Sequence, residues 1–132
     1  MKKIGLLHGE LSKVIGEMAH HDTILIGDAG MPVPKGVRLI DLAVVNGIPS
    51  FFQVLEAVLS ELCVEEGIID IEMNEVSPHM REKLDEVVKG EFKLTEIPHE
   101  EVKELSKDCK AVIRTGEFTP YSNIILKSGV LF

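Results

Sequence analysis

Leu11, Val14, Ile15 and Met18 recur at helical spacing, which predicts an amphipathic helix over residues 10–20. The period then changes. Thr23-Ile24-Leu25-Ile26-Gly27 is an apolar run with no polar alternation and is too short for a helix, so it reads as a strand covered on both faces, as in a parallel sheet. Residues 37–42 read as a second strand with no helix before it, which breaks a simple βαβ alternation at this point. Pro49-Ser50 opens a largely buried helix over 50–62, marked by Val54, Val58 and Leu62. A short strand is expected at 67–71. Ser77-Pro78 then resembles an N-cap and first-turn proline, and Gly90 the stop, of a helix with Leu84, Val87 and Val88 inward. Residues 92–97 return as a strand, and an acidic helix starts near His99 in HEEVKELSKDCK. Residues 110–114, 124–126 and 130–132 complete the sheet. No internal repeat, low-complexity segment or linker interrupts this order, so residues 1–132 are expected to form one three-layer α/β/α domain around a mixed, mostly parallel sheet.

Composition narrows the function classes. A chain of 132 residues supports one core and is too short for two ordinary domains. It is 45% hydrophobic and 27% charged, and no apolar stretch approaches the ~20 residues that span a bilayer. The start MKKIGLLHGELS has a basic pair but few apolar residues, which predicts no signal peptide and a cytoplasmic location. Cys63 and Cys109 make neither a disulfide framework nor a zinc pattern and suit a reducing compartment. The 14 basic and 22 acidic residues give a formal charge of −8, which opposes nucleic acid and anionic membranes as partners and favours a neutral or cationic ligand.

Three stretches carry candidate chemistry. Asp28 follows the 23–27 strand, where open α/β sheets bind ligands, and either contacts a ligand or caps the turn with Ala29 and Gly30. His20-His21-Asp22 suggests a metal cluster, but adjacent residues of an extended chain point to opposite faces, so no metal site is expected. The loop 115–123 holds the only tyrosine. In extended backbone Tyr121 and Asn123 share a face and suit the hydroxyls of a polyol, although a turn with a packed aromatic accounts for the same residues. No nucleophile elbow, P-loop or dinucleotide fingerprint is present, which removes covalent catalysis and nucleotide cofactors. His8 and His79 read as surface or capping residues.

GDAGMPVP, RLIDLAVVNGIPSF and AVIRTGEFTPYSNIILKSGVLF together resemble the D-ribose pyranase family, relatives of the L-fucose mutarotases, over essentially the whole chain. The resemblance implies a cofactor-independent isomerase that interconverts pyranose and furanose ribose. It further implies a decamer of two stacked five-membered rings. It makes His20 the proton donor, with Asp28, His99, Tyr121, Ser122 and Asn123 binding the sugar. Ala19 and His21 depart from the pattern, where relatives commonly have glycine and a small polar residue; alignment to Asp22 puts the family histidine on His20. The chemistry agrees, because opening a hemiacetal needs one proton removed from the anomeric hydroxyl and one delivered to the ring oxygen. Histidine, whose ordinary pKa is ~6.5, suits both halves, and catalysis of this kind contributes ~10²–10⁴-fold. A fucose or other sugar mutarotase, and a non-catalytic sugar-binding accessory of a transporter, are the rival readings.

One geometric tension follows. His20 and Asp28 flank a five-residue strand that spans ~16 Å, too far for one pentose to bridge. The two are therefore expected to meet across a subunit interface.

Overall fold

The computed structural model describes residues 1–132, and its order of elements follows the change of period along the chain. Helix α1 (Gly9–Glu17) leads into β1 (Thr23–Gly27), β2 (Arg38–Asp41) and α2 (Phe51–Leu59). Strand β3 (Val64–Asp70), the one-turn α3 (Met73–Val76), α4 (Pro78–Val88) and β4 (Lys93–Ile97) come next, and α5 (His99–Ser106), β5 (Ala111–Arg114) and β6 (Ile124–Ser128) end the order. All six strands join one sheet in the order β2-β5-β1-β6-β3-β4. Five run in one direction. Strand β6 alone is antiparallel, wedged between β1 and β3, so the mixed, mostly parallel sheet agrees with the pattern in the sequence.

The alternation along β1 divides the core. Ile24 and Ile26 face the larger cluster, under α1, α2 and α4, with Phe51, Leu55, Leu84 and Ile124. Leu25 faces the smaller cluster with Val112, Ile125 and Val102 of α5. The three layers are thus unequal, with a single helix covering the second face. Local chemistry sets the helix starts. Ser50 and Gln53 form a reciprocal capping box on α2, and His8 Nδ1 accepts from Leu11 N at 3.3 Å on α1, a capping role for His8.

Two expectations need correction. Ser77 occupies the N-cap position of α4 but makes no capping bond; its hydroxyl donates to the Pro120 carbonyl at 3.2 Å and ties α4 to the 115–123 loop. Residues 130–132 form no strand. β6 already satisfies the edge between β1 and β3, and Leu131 and Phe132 are left 93% and 104% exposed. The short α3 has no separate signal in the hydrophobic pattern, because only Met73 of its four residues is buried.

Candidate functional site

The antiparallel insertion of β6 decides what meets at the carboxyl edge of the parallel strands. Asp28 follows β1 and Asp70 ends β3. Between them the chain enters β6 through Asn123. The chain turns from β1 outward to β2 on one side and returns to β3 on the other, so this edge is a topological switch point.

A hydrogen-bonded relay links these ends. Asn123 Nδ2 donates to Asp70 Oδ2 at 2.6 Å, and Asn123 Oδ1 accepts from Asp28 N at 3.0 Å. The other Asp70 oxygen lies 3.0 Å from His99 Nδ1. His99 is itself the first residue of α5, whose capping position holds a proline; the Glu72 carboxylate accepts from His99 N instead, at 3.0 and 3.1 Å. Tyr121 stands edge-on to the His99 ring, centroids 5.2 Å apart.

Above the relay opens a cavity of about 500 Å³, lined by Asp28 and Met31 from the loop after β1, His99, and Glu117, Thr119 and Tyr121 from the loop before β6. Desolvation raises the Asp28 carboxyl above its ordinary value, against the opposing pull of Gly30 N–H, His99 and Asn123. Burial likewise raises Asp70, with Asn123 and His99 pulling the other way. Glu117 braces the rim: its carbonyl accepts from Ala29 N at 2.8 Å and its carboxylate from Phe51 N at 3.2 Å and Thr119 Oγ1 at 2.7 Å. Gly116 lies so close to the 45–49 turn that an added Cβ would stand 2.5 Å from the Ile48 carbonyl oxygen. The GDAG, NGIPSF and GEFTPYSN segments therefore converge on one structure.

Of the residues singled out in the sequence, Asp28, His99 and Tyr121 line this cavity. Asn123 is wholly buried behind them as the relay's centre, and Ser122 is buried with its hydroxyl unpartnered. Tyr121 is not extended, as the face-sharing argument assumes; it takes a left-handed φ of 62°, which turns its ring over His99 while Asn123 points inward. Asp28 caps its turn, since its Oδ1 accepts from Gly30 N at 2.9 Å, and the residue also lines the cavity. Sequence reading missed Asp70 and Glu117. The rule that flags Asp28, an acid at the end of a buried strand, also fits Asp70.

His20 lies at the opposite edge of the sheet. Its Nε2 is 3.1 Å from Glu65 Oε2 near the start of β3, and His21 Nε2 is 3.3 Å from Glu65 Oε1. Desolvation would raise the Glu65 carboxyl, but hydrogen bonds from His20 and Lys127 and the nearby histidine charges hold it below the ordinary value. The two adjacent histidines do not point to opposite faces. His21 adopts φ 71° in a turn where Asp22 Oδ2 accepts from Ala19 N, and the two imidazoles lie 3.7 Å apart between centroids.

The fold and this edge define an α/β protein with a small polar cavity at a switch point, and the stacked His20 and His21 imidazoles lie at the opposite edge of the sheet. The chain belongs to the RbsD / FucU transport protein family, whose model it matches over residues 1–131. It is 53% identical to a D-ribose pyranase of Coprothermobacter proteolyticus and 52% identical to one of Clostridium perfringens, each over the full length of both chains. Among solved structures, that of Bacillus subtilis RbsD complexed with D-ribose superposes with a TM-score of 0.96 at 44% identity, covering 100% of both chains. The fucose mutarotase of Streptococcus pneumoniae in complex with L-fucose gives 0.79 at 27% identity, over 95% of this chain and 94% of that one. No helix is long and apolar enough to cross a membrane.

Proposed function

We propose that the chain is a D-ribose pyranase, an isomerase that opens and recloses the hemiacetal ring of ribose without a cofactor. The observation that carries this reading is the relay-backed cavity, in which Asp28, His99 and Tyr121 offer acceptors and donors to the hydroxyls of a neutral pentose. Identity above 50% to D-ribose pyranases over the full length supports ribose as the sugar. Sugar binding here falls to Asp28, His99 and Tyr121 directly. Asn123 acts through the relay, and the Tyr121–Asn123 turn, with Ser122 at its centre, supplies backbone groups.

Proton transfer falls to His20. Because β1 and the residues flanking it hold His20 ~16 Å or more from Asp28, the His20 that serves a given cavity comes from a neighbouring subunit. Its imidazole takes the proton of the anomeric hydroxyl and delivers it to the ring oxygen as that C–O bond breaks, and the same shuttle runs in reverse when a different hydroxyl adds to the carbonyl and closes the ring. Glu65 orients its imidazole. A ring-shaped homo-oligomer, two stacked pentamers, accommodates such sharing. Exposed Phe118 on the cavity rim and Leu131 and Phe132 at the terminus supply apolar surface for the contacts. A cytoplasmic setting accords with two unpaired cysteines.

Magnetisation-transfer NMR on reducing sugars tests the reading. Exchange between ribose pyranose and furanose should rise with enzyme concentration. Acceleration of fucose anomer exchange without any effect on ribose would assign the chain to the mutarotases instead.

A further inference from the structure

The amino edge of the sheet carries a second arrangement that sugar chemistry alone leaves unexplained. Three features converge there. His21 holds a left-handed backbone, φ 71°, which non-glycine residues adopt at a cost, and this brings its ring against that of His20. Strand β3 breaks register with β6 between Val64 and Glu66, a bulge that re-aims Glu65 out of the ladder. Both Nε2 atoms then face the two oxygens of that single carboxylate, at 3.1 and 3.3 Å. One ligand atom from each of the three residues lies within 4.8 Å of the others.

We infer that His20, His21 and Glu65 form a site for a divalent transition ion of the zinc type, and that its occupation switches the enzyme off by ligating the His20 nitrogen. Two imidazoles and one carboxylate are a donor set of open zinc sites, which keep a fourth position for water. At metal–ligand distances of ~2.0–2.2 Å the edge of a tetrahedron is ~3.3–3.6 Å, so the observed nitrogen–oxygen separations need only small adjustment. Lys127 is the competing cation, with Nζ 3.4 Å from Glu65 Oε1. It is already 3.9 Å from Glu66 Oε2 and can turn to that carboxylate when an ion arrives. The chain's net charge of −8 favours the cation further.

Metal ligation uses the imidazole lone pair that would otherwise accept a proton. The bound state is therefore inactive, and removing the ion restores the enzyme. His21 is the residue that creates the site, since the left-handed turn and the second nitrogen are both its own. This regulatory half rests on the role of His20 proposed above; the binding half does not.

Equilibrium dialysis of the whole protein against Zn²⁺ reads binding without reference to activity. Wild type should take up one ion per chain. His21→Asn, which keeps a residue tolerant of the left-handed turn, should bind at least about tenfold more weakly. In parallel, Zn²⁺ should suppress ribose exchange by the wild type, a chelator should restore it, and His21→Asn should exchange ribose normally and resist the ion. Equal zinc affinity in wild type and His21→Asn would overturn the site. Binding that depends on His21 while saturating Zn²⁺ leaves ribose exchange untouched would overturn the switch. A protein without ribose activity fails the reading of function instead, and the dialysis still decides the site.

Discussion

His99 Nδ1 lies 3.0 Å from Asp70 Oδ1, and Asp70 is wholly buried. The same carboxylate takes the Asn123 amide on its other oxygen, so one acid holds two elements of the cavity wall. Asp70→Asn would offer only one acceptor to these two donors. With hydrogen bonds to a charged group worth ~1.5–3 kcal/mol, kcat/KM for ribose exchange should fall ~10–150-fold while the far-ultraviolet circular dichroism stays native. Unchanged kinetics in a folded variant would remove Asp70 from the site.

The raised carboxyl of Asp70 also sets a pH dependence of stability. Its folded value lies above the ordinary 3.8, so between the two the native state binds more protons than the unfolded chain. That makes stability fall as pH rises through this window. Asp28 contributes in the same direction. Asp70→Asn cannot titrate. Its melting temperature relative to wild type should therefore improve as pH rises from 3.8 toward neutrality, measured by calorimetry in steps of pH. A difference that stays flat, or moves the other way, contradicts the assignment.

Gly116→Ala tests the convergence of the three segments. Its methyl would meet the Ile48 backbone at 2.5 Å, with no flexible side chain to yield. Overpacking of this kind costs ~1–3 kcal/mol, and denaturant titration should show that loss. The rim held by Glu117 should loosen with it and raise KM.

Leu131 and Phe132 stand clear of the fold. If they seat against a neighbouring subunit, deleting both removes contacts worth ~1.5–3 kcal/mol per buried side chain, and light scattering should show smaller particles at low concentration. An oligomer of unchanged mass and stability assigns the contacts elsewhere.

The sequence made the sheet legible wherever a strand is buried on both faces, as in the unbroken TILIG of β1, because no polar position is tolerated there. The end of the chain was harder. Val130, Leu131 and Phe132 have a strand's composition, but nothing local reveals that Ile124–Ser128 already fills the only vacant lane between β1 and β3. In the site, Asp28 was legible from its place after a buried strand, whereas Asp70 was hidden because β3 starts with Val64-Glu65-Glu66 and reads as only half a strand. His99 and Ser122 came from family resemblance alone. The pairing of His20 with His21 was illegible, since it depends on a left-handed turn that no residue type in AHHD demands.

In the proposed shared site, His20 comes from one subunit and Asp28 from another. Mixing inactive His20→Ala and Asp28→Ala proteins under conditions of verified subunit exchange, and measuring ribose exchange by magnetisation-transfer NMR, decides whether it exists. In a randomly mixed ring with one shared interface per site, about a quarter of the sites regain both wild-type residues, and activity should recover toward that fraction. No recovery above the separate variants would contradict a shared site.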